Sequence, residues 1–159
     1  MKSASMLDPL VLLVEDDPGH ARLVEVAVDE AGVPLRLAHA ADGIEAEAFL
    51  RGADKETPAL VLLDLNLPRK SGLQVLEEIK GDPELCSVPI VVLSCSSAPS
   101  DVEASYRAHA NAYLVKPFDL EAFLDVVRVT LEFWLRVARG PDRPGRAAGA
   151  ARPARGGVV

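Results

Sequence analysis

Apolar residues along this chain fall in short continuous runs that alternate with stretches of helical spacing. The first run, residues 10–14 (LVLLV), has the length of a strand and no polar interruption. Asp17 followed by Pro18 then reads as a helix start, a capping carboxylate with proline at the first helical position. Leu23, Val24, Ala27, Val28 and Ala31 recur at helical spacing, with Arg22, Glu25 and Asp29 opposite, and Gly32 marks the end. A weaker strand is expected over 35–39, then a short helix opened by Asp42-Gly43, running through Leu50 and closed by Gly52. The third strand is 59–63 (ALVLL), followed by a loop over 64–71 and a helix over 72–80 with Leu73, Leu76 and Ile79 on one face. A fourth strand over 89–93 (PIVVL), a short helix over 100–108 and a fifth strand over 112–115 (AYLV) follow. The last helix is expected over 119–138, ~30 Å long at ~1.5 Å per residue.

Repeated strand–helix pairs predict an α/β domain with a five-stranded parallel sheet, doubly wound. Strands that are apolar throughout, rather than alternating, imply helices on both faces. In such sheets chemistry gathers at the carboxyl ends of the strands. Glu15, Asp16 and Asp17 follow the first strand, Asp64 the third, Ser94 the fourth, and Lys116 with Pro117 the fifth.

That set permits a definite chemistry. Carboxylates brought together repel and call for a counter-ion. Oxygen ligands in a partly open site suit Mg2+, which retains waters and favours carboxylates plus a phosphate. Asp64 could attack phosphorus to give an acyl phosphate. Lys116 would offset charge on the phosphoryl oxygens, and Ser94 could donate to one of them. Each residue also has a plainer reading: Asp17 as a cap, Asp64 as a turn former, Ser94 as a cap or turn, Lys116 as a solvated surface charge. Coincidence at four strand ends favours the shared site.

Composition narrows the function classes. The 159 residues are one domain's worth of chain, with 49% hydrophobic and 26% charged residues. No signal peptide and no membrane span is expected. The net charge of −7 argues against nucleic acid as the main partner. Residues 140–159 carry Arg143, Arg146, Arg152 and Arg155 against Asp142, a balance of +3, which leaves −10 on residues 1–139. Residues 7–138 are therefore read as the folded domain and 139–159 as a flexible Gly/Pro/Ala/Arg tail. Two cysteines, Cys86 and Cys95, make neither a disulfide framework nor a zinc spacing and fit a reducing cytoplasm. Cys95, beside Ser94, is expected to be a buried inert thiol.

The segments VLLVEDDP (11–18), LVLLDLNLPRKSG (60–72), VVLS (91–94) and YLVKPF (113–118) resemble a two-component response-regulator receiver domain. The intervals of 30 from Asp64 to Ser94 and 22 from Ser94 to Lys116 match that pattern. The resemblance implies a flavodoxin-like fold with strand order 2-1-3-4-5. It implies Asp64 as phosphoacceptor, with Lys116 and Ser94 completing the phosphoryl site and Ser94 and Tyr113 acting as switch residues. It implies a Mg2+ site from Glu15, Asp16, Asp64 and the Asn66 carbonyl, and a cis Lys116–Pro117 bond. A narrower likeness, in residues 105–123 and 132–138, points to stand-alone regulators that partner phytochrome histidine kinases. Asn66 and Ser96 sit where they could orient a hydrolytic water.

The last helix carries two apolar faces. Leu120, Leu124, Val127, Leu131 and Leu135 form one; Val126, Phe133 and Val137 form the second, with Trp134 adding to the excess. The second face predicts a two-fold homodimer. The expectation is thus a non-enzymatic cytoplasmic receiver that takes a phosphoryl group from a sensor histidine kinase, of bacteriophytochrome type, and signals through protein contacts. Rivals are an aspartate-nucleophile phosphatase, an unphosphorylated receiver-like adaptor and, more distantly, a flavin-binding module. The phosphatase would need an acid/base two residues after Asp64, where Asn66 stands.

Overall fold

A computed structural model describes residue 5, residues 7–52 and residues 56–141. Residues 142–159, most of the expected tail, lie outside the described residues. The elements are β1 (Leu10–Val14), α1 (Pro18–Ala31), β2 (Arg36–Ala40), α2 (Gly43–Arg51), β3 (Leu60–Leu63), α3 (Gly72–Gly81), β4 (Ile90–Ser94), α4 (Pro99–Arg107), β5 (Ala112–Val115) and α5 (Leu120–Glu132). A π-helical turn, Phe133–Val137, extends α5.

The five strands form one parallel sheet in the order β2-β1-β3-β4-β5. Successive strand side chains point to opposite faces, so each central strand feeds two cores. Val11, Leu13, Leu60, Leu62, Val91 and Leu93 pack with Ala21, Val24 and Ala27 of α1 and Phe123, Leu124, Val127 and Leu131 of α5. Leu12, Val14, Val61, Leu63, Ile90 and Val92 pack on the other face with Ala46 of α2 and Val75, Leu76 and Ile79 of α3. Helix α4 is the least embedded of the five; Ser105 is its one buried residue.

Local chemistry sets the helix starts. Asp17 accepts from the N–H groups of Gly19 and His20 with Pro18 at N1, and Gly32 ends α1 at φ 64°. Ser71 and Gln74 form a reciprocal capping box on α3. Asp42 and Asp119 cap α2 and α5.

Three expectations need correction. The second and fourth strands are each shifted by one: Leu10 pairs with Arg36, and β4 runs Ile90–Ser94, so Ser94 is the last residue of that strand rather than the residue after it. The last helix is not α-helical to its end: the Ala138 N–H donates to the Phe133 carbonyl at 2.7 Å, an i→i+5 bond. The Lys116–Pro117 peptide is trans, the isomer an X–Pro bond prefers by ~0.5–1 kcal/mol.

Candidate functional site

The sheet order reverses between β1 and β3, which opens a cleft at their carboxyl ends. The ladder places the residues there. Val14 pairs with Leu63, so Glu15 and Asp64 leave neighbouring strands side by side. The Asp64 N–H still donates to the Val14 carbonyl at 3.0 Å. Ser94 pairs with Val115, and the Lys116 N–H donates to the Ser94 carbonyl at 2.7 Å.

Glu15, Asp64, Ser94 and Lys116 are all buried, while Asp16 is exposed at the rim. Lys116 Nζ donates to Glu15 Oε2 at 2.5 Å and to Asp64 Oδ2 at 3.2 Å. The Asn66 N–H donates to the other Asp64 oxygen, Oδ1, at 3.2 Å. Gly72 is required behind this turn: a Cβ there would stand 2.1 Å from the Asp64 carbonyl oxygen.

The charges are unbalanced. Burial pushes the Glu15 carboxyl above its ordinary value, and the Asp64 charge adds to this against the opposing Lys116. Burial pulls Lys116 down, but its bond to Glu15 and the charges of Asp64 and Glu15 outweigh that, and it stands above the usual lysine value. One ammonium thus touches Glu15 and Asp64, while the cluster holds a third acidic side chain, Asp16, at the rim. Carboxylate oxygens of Glu15, Asp16 and Asp64, one from each, lie within 4.8 Å of one another. An all-oxygen donor set with excess negative charge fits a hard divalent cation.

The hydroxyl side of the cleft is a separate network. The Ser94 Oγ accepts from the Ser96 N–H at 3.2 Å, and the Tyr113 hydroxyl donates to the Ser96 carbonyl at 2.8 Å. Ser96 Oγ donates to Asp101 Oδ2 at 2.5 Å, tying the β4–α4 loop to the first turn of α4.

The structure thus gathers Glu15, Asp16, Asp64, Asn66 and Lys116 at one cleft and links Ser94 to Tyr113 through Ser96. Asp17 turns away from this group to cap α1. Cys95 corrects the expectation of burial. The chain alternates at the end of β4, so Ser94 points in and Cys95 out, and the thiol is exposed. Two contacts were missed: the Glu15–Lys116 ion pair, and His20, whose Nδ1 lies 3.1 Å from Lys116 Nζ. The sequence places His20 in the turn opened by Asp17-Pro18 but gives no sign of its pairing with Lys116.

Residues 11–128 match the response regulator receiver domain. The chain belongs to that family. The receiver is 39% identical over 145 residues to the response regulator Rcp1 of Synechocystis sp. (strain ATCC 27184 / PCC 6803 / Kazusa), across 89% of this chain and 99% of Rcp1. It is similar to the crystal structure of the phosphorylated cyanobacterial phytochrome response regulator RcpA at 41% identity and a TM-score of 0.82, covering 85% of this receiver and 99% of RcpA. It is similar to the Mn(2+)-bound form of Rcp1 at 39% identity and a TM-score of 0.80, covering 84% and 99% of the two chains. Among the described residues, no helix of this receiver is long and apolar enough to cross a membrane.

Proposed function

We propose that this receiver accepts a phosphoryl group from a sensor histidine kinase on Asp64 and passes the signal on through altered protein contacts. The observation that carries the reading is the seating of Asp64. It lies buried at the end of β3, with the Asn66 N–H on one oxygen, Lys116 Nζ on the other and the Glu15 and Asp16 carboxylates in reach. A carboxylate oxygen of Asp64 forms a bond to phosphorus as the phosphorus–nitrogen bond of the donor phosphohistidine breaks, and the donor ring, already protonated on its other nitrogen, leaves as neutral imidazole. The Lys116 ammonium offsets charge on the phosphoryl oxygens, and the Ser94 hydroxyl turns from Ser96 to donate to one of them.

Glu15, Asp16, Asp64 and the Asn66 carbonyl would hold Mg2+, which when bound supplies the positive charge that lets an anionic phosphoryl group approach an acidic cleft. The acyl phosphate adds about two negative charges at the sheet edge. The response runs through Ser94, Ser96 and Tyr113, and biases a two-state arrangement of the β4–α4 loop.

The kinase is assigned to the phytochrome type, on the likeness to RcpA. The folded domain is taken as residues 7–138, and the outer face of α5 with the π turn as a two-fold dimer interface. Phe133 and Val137 are exposed there, while Val126 and Trp134 are partly covered by the receiver's own core. Two exposed free thiols suit the cytoplasm. Phosphotransfer tests the reading. Wild-type protein should take label from a phosphorylated phytochrome-type kinase and from phosphoramidate, and Asp64→Asn should take none. Label on the Asn variant would overturn the assignment.

A further inference from the structure

His20 stands at the third helical position of α1, where its backbone N–H is held by Asp17 Oδ1 at 3.0 Å. Its ring stacks on Phe123 of α5, with centroids 6.5 Å apart and an interplanar angle of 26°. Phe123 is buried, so the ring has a fixed backing. From that position Nδ1 lies 3.1 Å from Lys116 Nζ and 3.9 Å from Glu15 Oε1.

An ammonium has three N–H groups and no lone pair. Lys116 gives one to Glu15, one to Asp64 and one to His20. A bare Nδ1, with the ring proton on Nε2, is the arrangement that would accept the third N–H at this distance. The bond to Glu15 is the shorter of the two carboxylate bonds, so the ammonium is drawn to that side. His20 Nδ1 is the third polar atom within hydrogen-bond distance of the ammonium.

The geometry points to His20 as a positioning residue of the phosphoryl-transfer site: its Nδ1 takes the third N–H of Lys116 and so fixes the ammonium where it reaches Asp64. This rests on the reading of Asp64 as acceptor. Without the third bond the ammonium settles on Glu15, and charge developing beyond Asp64 is less well met. His20 never touches the reacting atoms and acts only through Lys116. Nothing in the sequence pairs these two residues, which stand 96 positions apart.

Two variants separate the acceptor from the ring. His20→Phe keeps the stack on Phe123 and removes the acceptor; His20→Asn puts an oxygen where Nδ1 was. Initial rates of Asp64 phosphorylation by phosphoramidate, at saturating Mg2+, are the readout. The Phe variant should be slower by about fivefold, roughly 1 kcal/mol at ~1.36 kcal/mol per tenfold, and the Asn variant should stay within about twofold of wild type, the change expected when one hydrogen bond is restored. All three should bind Mg2+ equally. A Phe variant at the wild-type rate, or an Asn variant as slow as Phe, would overturn the inference. If wild-type protein takes no label on Asp64, the proposed function itself fails. A second measurement needs no variant: long-range nitrogen–proton correlation spectra of His20 should show Nδ1 bare and Nε2 protonated, and a proton on Nδ1 would sink the positioning role whatever the fate of the phosphotransfer reading.

Discussion

Lys116 and Glu15, 101 residues apart in the chain, form a buried ion pair at 2.5 Å. The same ammonium reaches Asp64, so it is the internal counter-ion for two carboxylates that leave neighbouring strands. Removing it strands both charges. Lys116→Met should cost ~3–5 kcal/mol in a divalent-free buffer, the usual penalty for breaking a buried pair from one side. Saturating Mg2+ should restore part of the loss, because a metal among Glu15, Asp16 and Asp64 meets the same charge. Urea unfolding with EDTA and with Mg2+ reads both numbers. Equal stability of variant and wild type in EDTA would show that Lys116 is not that counter-ion.

Asp16 differs from its two neighbours in being exposed. Its removal should therefore separate metal binding from folding. Asp16→Asn is expected to weaken divalent binding at least tenfold, ~1.4 kcal/mol, while changing unfolding free energy by less than ~0.5 kcal/mol. Calorimetric titration with Mg2+ and with Mn2+ measures the first, and urea denaturation the second. Unchanged affinity would remove Asp16 from the ligand set.

The strand ends could be read from the sequence because apolar runs broke at acidic, hydroxyl or basic residues. Glu15, Asp64, Ser94 and Lys116 follow directly from that pattern. What stayed hidden depends on pairing across the sheet. Glu15 read as a metal ligand, yet it also takes Lys116, a choice made by the β1–β3 register and by burial rather than by spacing. His20 needed α1 and α5 placed on the same face. The π turn had no advance signal, since FWLRV at 133–137 keeps helical periodicity; the departure shows only in where the Ala138 N–H goes.

Gly72 and Gly81 open and close the same helix and should respond in opposite directions. A Cβ on Gly72 would lie 2.1 Å from the Asp64 carbonyl oxygen and 2.6 Å from Leu65 Cα, both backbone atoms. Gly72→Ala should therefore destabilise by at least ~3 kcal/mol, the upper end of overpacking costs, and should slow Asp64 phosphorylation by displacing the β3–α3 turn. Gly81 meets nothing within 4 Å. Gly81→Ala should stabilise by ~0.5–1 kcal/mol through backbone entropy. Chemical denaturation of the pair decides it; a tolerated Gly72→Ala would mean that the turn behind Asp64 can shift freely.

Acid should weaken the fold through the helix caps and through Glu47, which pairs with Lys70 from the middle of α2. The Glu45 N–H and then Arg69 hold Asp42 below its ordinary value, and the His20 N–H does the same for Asp17. Glu47, joined to Glu78 through the shared ammonium of Lys70 and bonded also by Arg51, is brought down to about 2. A carboxyl with a lower pKa in the folded state gives stability that is present above its unfolded value and lost as pH falls through the folded one. For Glu47 that window runs from 4.5 down to about 2. Glu15 has the opposite sign: burial raises it, so in the metal-free protein its ionisation costs stability as pH rises above 4.5. Thermal melts across pH in EDTA should show both flanks. Mg2+ should remove the Glu15 flank and leave the cap flank, whereas identical profiles with and without Mg2+ would contradict a metal site that includes Glu15.

The outer face of α5 gives the last test. Val129, Phe133 and Val137 are exposed by 55%, 47% and 70%, and the i→i+5 bond at the π turn sets where Phe133 and Val137 project. Trp134 instead packs partly on the core and meets Phe133 edge-on at 5.2 Å. If this face closes a two-fold dimer, Trp134 lies just beneath the interface without forming its centre. Its emission should then shift with protein concentration, in step with the sedimentation coefficient. The double change Val129→Asp and Phe133→Asp should give a monomer with unaltered far-ultraviolet dichroism, since neither side chain supports the core. A wild-type monomer at tens of micromolar, a rough threshold for a useful dimer, would remove the interface. A double variant that stays dimeric would move it elsewhere on the receiver.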